Sequence, residues 1–140
     1  MVQCGQSTVR LVKIPFDGEL VKPVDAYHWM DGARAAAALL DAGSRPDALL
    51  CLNDHLALGA LRALHERGRS VPGDLEVVGF DDIEASRFSV PSLTTVSPDR
   101  KEIARAAVAL PLDRIEEPAA GPLQDHVVAH ELKVRERTGG

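Results

Sequence analysis

The spacing of apolar and polar residues changes several times along this chain, and each change predicts an element. Ser7 to Ile14 sets Val9, Leu11 and Val12 among polar neighbours, the alternation of an edge strand, and PFDGELVKP follows as a loop. A helix is predicted from about Ala26 to Ala42, Ala-rich in its middle, closing on Leu39-Leu40 with Gly43 as its C-cap. Then come a strand over Asp47 to Leu52, a helix from about Asp54 to Arg67 stopped by Gly68, the connector RSVPGD, and a strand over Leu75 to Phe80. Strand, helix and strand at this spacing form a βαβ unit, whose crossover is right-handed, so the chain is an α/β protein with a parallel sheet. The small side chains of Ala57 to Ala60 are expected to let helix and sheet approach closely.

Beyond Asp82, IEASRFSVP reads as one helical turn and a loop, before a strand over Leu93 to Ser97. Asp99 is placed to cap a helix that runs to about Glu116, with Ile103, Ala107, Leu110 and Arg114 along one face. Pro111 lies inside it, and a proline that deletes a helix hydrogen bond predicts a kink or break near Val108 to Leu110. EEPAAGPLQ is a surface loop, and His126 to Arg135 alternates as a final strand. Neither an internal repeat nor a low-complexity tract interrupts the pattern.

At 140 residues the chain is about one domain's worth, and 45% apolar with 26% charged residues is ordinary for a globular protein. A net charge of -5 weighs against a nucleic-acid surface, which needs clustered Lys and Arg. Cys4 and Cys51 are the two cysteines, too few for a disulfide framework or metal cluster, and Cys51 fits a small core side chain in a reducing compartment. The N-terminal MVQCGQSTVRLVKI has no apolar signal core and no apolar run reaches membrane-span length. The expected location is the cytoplasm, away from membranes.

Candidate chemistry collects where strands end. In an open parallel sheet, ligands bind at the carboxyl ends of the strands, where this chain delivers Asn53-Asp54 and Asp81-Asp82. Asn53 offers both donors and an acceptor for a small polar ligand, and it competes with a plain helix-capping role; Asp54 is assigned chiefly to capping. Adjacent residues on an extended segment point opposite ways, so Asp81 and Asp82 are expected to divide, one facing the cleft and one capping the next turn. Tyr27 and Trp29 supply aromatic faces for a ring or for packing, with Trp29 assigned to packing. His28, His55, His65, His126 and His130 share no metal-ligand spacing, and the chain has no G-x-S-x-G elbow, G-x-G-x-x-G or P-loop. Catalytic, metal, cofactor and DNA-binding residues are therefore all expected to be absent.

Three linked motifs carry a resemblance. Cys51 to Leu64 (CLNDHLALGALRAL), Val71 to Asp82 (VPGDLEVVGFDD) and Pro91 to Val96 (PSLTTV) resemble, in order and spacing, the effector-binding domain of LacI/GalR-type transcriptional regulators. More weakly, the resemblance extends from about Leu11 to the C-terminus. It implies a parallel-sheet, periplasmic-binding-protein-like lobe: about residues 7–90 and 125–136 in the second lobe, and about 91–116 as the segment returning to the first. It also assigns ligand contact to the positions of Asn53, Asp81 and Tyr27, with Phe80 near the pocket. Where relatives carry a further ligand-reaching polar residue after LTT-(V/I), this chain has Ser97-Pro98.

By the same resemblance, the helix-turn-helix module, the first lobe and the opening strand of the second lobe are expected to be missing. The implied partners are a small effector such as a sugar or nucleoside, DNA only through the absent module, and a second copy in a homo-oligomer. Loss of a central strand is expected to leave open backbone edges beside Val9 to Val12 and Leu75 to Phe80, inviting self-association or marginal stability. A stand-alone solute-binding module, a truncated remnant, and an enzyme resting on the Asp81-Asp82 pair are the competing readings.

Overall fold

The computed structural model describes residues 2–4, 7–9, 21–116 and 125–136. Its centre is a four-stranded sheet in the order β3-β4-β5-β6, made of β3 (Ala48–Leu50), β4 (Glu76–Phe80), β5 (Thr94–Pro98) and β6 (His130–Lys133). The first three strands run parallel and β6 runs antiparallel to β5. Two further strands, β1 (Val2–Cys4) and β2 (Ser7–Val9), pair antiparallel in a sheet of their own. The expected edge strand thus joins β1 instead of the main sheet; residues 10–14, and the loop residues 15–20 and 117–124, lie outside the described residues.

One helix packs on this sheet, and a second packs chiefly on the first. α1 (Trp29–Asp41) buries Gly32, Ala36 and Leu39, a spacing of four and three that draws one stripe along the helix. It starts three residues later than the expected Ala26, because Asp31 turns back to accept the His28 N–H at 3.3 Å and so fixes the first turn at Trp29. α2 (Asp54–Glu66) is apolar on two sides. Ala57, Leu61 and Leu64 pack with Leu75, with Val77 of β4 and with Leu93, while Ala60 and Ala63 meet Ala36 of α1. Gly43 and Gly68, at φ 80° and 67°, follow the two helices in the left-handed conformation that ends a helix without cost to glycine.

Glycine sets the separation of α1 and α2. A Cβ on Gly59 would stand 1.8 Å from the Trp29 carbonyl oxygen, and one on Gly32 would stand 2.1 Å from that of Leu56. The small residues of the Ala57–Ala60 stretch therefore serve two contacts: Ala57 faces the sheet as expected, whereas Gly59 admits the backbone of the other helix.

The remaining elements are α3 (Glu84–Phe88) and α4 (Arg100–Glu116). Asp99 caps α4 as expected, accepting the Glu102 N–H at 3.0 Å. The helix runs through Pro111 without the expected break. No residue of α4 is buried, so water can take the carbonyl that proline leaves without a partner. The final strand is shorter than expected, four residues instead of ten, since only His130–Lys133 finds a partner on β5.

One expectation about edges is corrected. β4 lies between β3 and β5, so the edges beside Leu75 to Phe80 are paired. Among the described residues β3 and β6 are the two edge strands of this sheet, and a cavity of about 130 Å³ lies against β3, lined by Val24, Ala36, Leu39, Leu50, Leu52 and Ala60 among others. Leu50, at 75% exposure, stands bare on that strand. Cys51 next to it is partly buried, and burial, reinforced by the negative charge of Asp54, pushes its thiol up to about 12. Among the described residues no helix is long and apolar enough to cross a membrane.

Candidate functional site

The candidate residues gather at the carboxyl ends of β3 and β4, where α1, α2 and α4 begin. Asn53 is the N-cap of α2: its Oδ1 accepts the Leu56 N–H at 2.8 Å and its Nδ2 donates to the Tyr27 carbonyl at 3.2 Å. It thereby holds the approach to α1 against the start of α2. Tyr27 is 56% exposed, and Trp29 stacks on His55 with ring centroids 6.0 Å apart and planes at 30°. Trp29 does pack, but against a surface histidine at the rim instead of in the core.

Asp54 takes a different role from the one expected. Fully buried, it does not cap its own helix. Its Oδ2 accepts from the Ile83 N–H at 2.9 Å and the Ser86 hydroxyl at 2.7 Å, and its Oδ1 from the Thr95 hydroxyl at 2.6 Å. The carboxylate at the start of α2 thus caps α3 and ties it to β5. Gly79 makes room for it, since a Cβ there would stand 2.2 Å from Oδ1.

Asp81 and Asp82 do divide, although neither caps the following turn. Both have positive φ, 108° and 52°, which turns the chain sharply between them. Asp82 points inward and is 3% exposed, paired to Arg135 at 2.5 Å and Arg87 at 3.3 Å, with the Ser97 hydroxyl donating at 3.1 Å. Burial pushes its carboxyl up, but the hydrogen bonds from Arg135, Arg87 and Ser97 outweigh that and hold it below the ordinary value. Ser97 is therefore engaged in this cluster.

Asp81 is the opposite case. None of the described residues donates a hydrogen bond to its carboxyl group. Burial and then the charge of Asp54 push it above the ordinary value, and His55 and Arg100 only partly offset them. Phe80, 39% exposed, precedes it at the end of β4. The face therefore presents an unsatisfied acceptor, two cationic or protonatable neighbours and exposed aromatic rings, a combination suited to a small polar ligand with an apolar face.

His55 and Arg100 were not singled out from the sequence. Their only signal is position, one just inside α2 after Asn53-Asp54 and one opening α4 after its cap. The cavity along β3 is lined by none of Tyr27, Asn53, Phe80 or Asp81. Among the described residues no group of three or more His, Cys, Asp or Glu is arranged to hold a metal ion.

Comparison with known proteins covers nearly the whole chain. The periplasmic binding protein-like domain family matches residues 3–138. The HTH-type transcriptional repressor PurR of Haemophilus influenzae (strain PittEE) is 44% identical over 90 residues, 64% of this chain and 27% of the repressor. A LacI-family regulator structure from Sanguibacter keddieii superposes with a TM-score of 0.76 at 50% identity, covering 89% of this chain and 48% of that one. A LacI-family regulator from Enterococcus faecium with bound ribose superposes with a TM-score of 0.70 at 31% identity, covering 83% of this chain and 42% of that one. The chain spans about a quarter of the length of the curated relatives it matches.

Proposed function

Since the chain belongs to the periplasmic binding protein-like domain family, in company with regulators of the LacI type, we propose that it is the effector-sensing portion of such a regulator. It binds a small polar ligand, a sugar or nucleoside, at the face formed by Tyr27, Asn53, Phe80 and Asp81. DNA is reached through a helix-turn-helix module outside these residues, and the protein works in the cytoplasm without catalysing a reaction. Residues of about 7–90 and 125–136 make one lobe, and the bare apolar surface of α4 supports the reading that the segment at about 91–116 leads toward another.

The observation that carries this reading is Asp81. Its backbone sits at φ 108°, where only glycine is at ease, and its carboxyl group is raised by burial and by Asp54. Both features work against folding, and residues kept under such strain cluster at ligand sites. A carboxyl group raised in the fold favours the folded state below the ordinary carboxylate value, and that contribution is lost as the pH rises through the raised value. At neutral pH the charge therefore costs stability. Asp81→Asn is expected to raise the urea midpoint at pH 7 and yet weaken binding of D-ribose or a nucleoside about tenfold or more, as loss of a charged hydrogen-bond acceptor does. Calorimetric titration across a panel of sugars and nucleosides tests this; unchanged affinity in the variant for a ligand that binds the parent would overturn the assignment.

Homo-oligomerisation belongs to the same proposal, supported by the open edge of β3 and the apolar cavity beside it. Light scattering on the isolated chain is expected to show mass increasing with concentration, and Leu50→Lys to suppress the increase. A monodisperse monomer with a cooperative melt contradicts it.

A further inference from the structure

The buried carboxylate of Asp54 is larger in consequence than a helix cap. Asn53 already caps α2, and among the described residues no cation is paired with Asp54. A carboxylate removed from water is costly unless its oxygens are satisfied, and here three donors satisfy them. All three come from residues that follow or support the Asp81-Asp82 turn: Ile83, Ser86 and Thr95.

The turn itself is held from within by consecutive amides. The Asp81 N–H donates to the Val96 carbonyl at 2.9 Å, the Asp82 N–H to the Thr95 hydroxyl at 3.4 Å, and the Ile83 N–H to Asp54 at 2.9 Å. Thr95 can accept from Asp82 because its own proton is given to Asp54 Oδ1 at 2.6 Å. Two of the three tethers therefore depend on Asp54, one directly and one through the threonine hydroxyl. With three successive N–H groups aimed inward at two positive φ values, the Asp81 side chain is left on the outer face.

We propose that Asp54 is a positioning residue for the effector site: by clamping Ile83, Ser86 and Thr95 it holds the strained Asp81-Asp82 turn in the one conformation that presents Asp81 to a ligand. It touches no ligand itself, being wholly buried. Gly79 belongs to the same device, because only the absence of a Cβ lets the carboxylate lie against β4 one residue before Phe80. This inference rests on the reading of Asp81 as a ligand contact, so its test separates the clamp from the ligand.

The ligand-free arm compares the parent chain with Asp54→Asn by NMR, following the Asp81 carboxyl titration and backbone amide exchange. In the variant the Asp81 carboxyl group is expected to fall back toward its ordinary value, and the Asp82 and Ile83 amides to exchange about tenfold faster or more, while the core amides of Val77 and Val78 stay protected. A merely structural aspartate would lower protection everywhere, the core amides of Val77 and Val78 included, whereas the fall of the Asp81 titration follows from the lost Asp54 charge in either case. Protection lost everywhere, or no change at all in a folded variant, overturns the proposal. If Asp54→Asn does not fold, Ser86→Ala and Thr95→Val each remove one donor and leave the charge. Each must then speed exchange at Asp82 and Ile83 selectively, and failure to do so also overturns it.

The ligand arm is a double-mutant cycle read with D-ribose. Asp54→Asn is expected to weaken binding in the parent and to add nothing in the Asp81→Asn background, since it acts through Asp81. Additive losses reject that coupling. If Asp81→Asn leaves ribose binding unaltered, the effector-site reading fails while the ligand-free arm still decides whether the clamp exists.

Discussion

Replacing Gly59 with alanine will destabilise the fold by about 2–3 kcal/mol, although alanine is the better helix former. The added methyl would stand 1.8 Å from the Trp29 carbonyl oxygen, 2.7 Å from the Trp29 carbonyl carbon and 2.9 Å from the Ala33 nitrogen. Every one of these is backbone, so no flexible side chain can swing away. To restore a carbon–oxygen contact of about 3.3 Å, the 1.8 Å approach would have to open by roughly 1.5 Å. Such a retreat strips contacts from Ala36, Ala60 and Ala63, which have no longer side chain to follow with. Overpacking of this kind costs about 1–3 kcal/mol or more, whereas the propensity gain is at most about 1 kcal/mol.

The same displacement reaches the candidate site. The Asn53 amide meets the Tyr27 carbonyl, and His55 meets Trp29, across this very crossing. Urea unfolding measures the stability loss, and the emission of Trp29, the only tryptophan, reports the stacking on His55. A variant as stable as the parent or more so, as propensity alone would give, contradicts the close crossing.

How much of this was legible in the sequence follows from how local each determinant is. α2 was expected over Asp54 to Arg67 and forms over Asp54–Glu66, and β4 and β5 fall within a residue of their expected starts, because each is written in its own periodicity and bounded by its own glycines or prolines. The placing of Asn53-Asp54 and Asp81-Asp82 just beyond the carboxyl ends of β3 and β4 was legible for the same reason. What each acidic residue does there was not. Asn53 and Asp54 differ by one position, and their division between cap and buried clamp is decided by Ile83, Ser86 and Thr95, 29 to 41 residues away. The open edge expected beside Leu75 to Phe80 is instead paired on both sides, since order in the sequence does not say which strands lie side by side in the sheet. Pro111 misled because a break is forced only where the freed carbonyl is buried, and α4 has no buried residue.

The two adjacent aspartates give the other large effect, with opposite signs. Asp82→Asn will cost about 3 kcal/mol at pH 7, where Asp81→Asn is expected to stabilise. Asparagine fits the left-handed backbone at φ 52°, so this substitution removes charge without adding backbone strain. What it leaves is Arg135, itself largely buried, whose other guanidinium hydrogen bond reaches the Leu93 carbonyl at 2.7 Å and does not neutralise it. Breaking a buried pair by removing one partner is expensive because the remaining charge stays out of water. Arg87 adds less, because its exposed side chain can return to solvent. The pH dependence separates this account from a simple loss of packing. A carboxyl group held below its ordinary value stabilises the fold above the unfolded-state value of 3.8, and that stability is lost as the pH falls through the depressed value. Urea midpoints measured from pH 7 downward should therefore show the parent converging on Asp82→Asn as the solution passes below pH 3.8, while Asp81→Asn loses its advantage over the same descent. A gap between parent and Asp82→Asn that stays constant with pH would mean that shape, and not the charge on Asp82, holds Arg135 against the sheet.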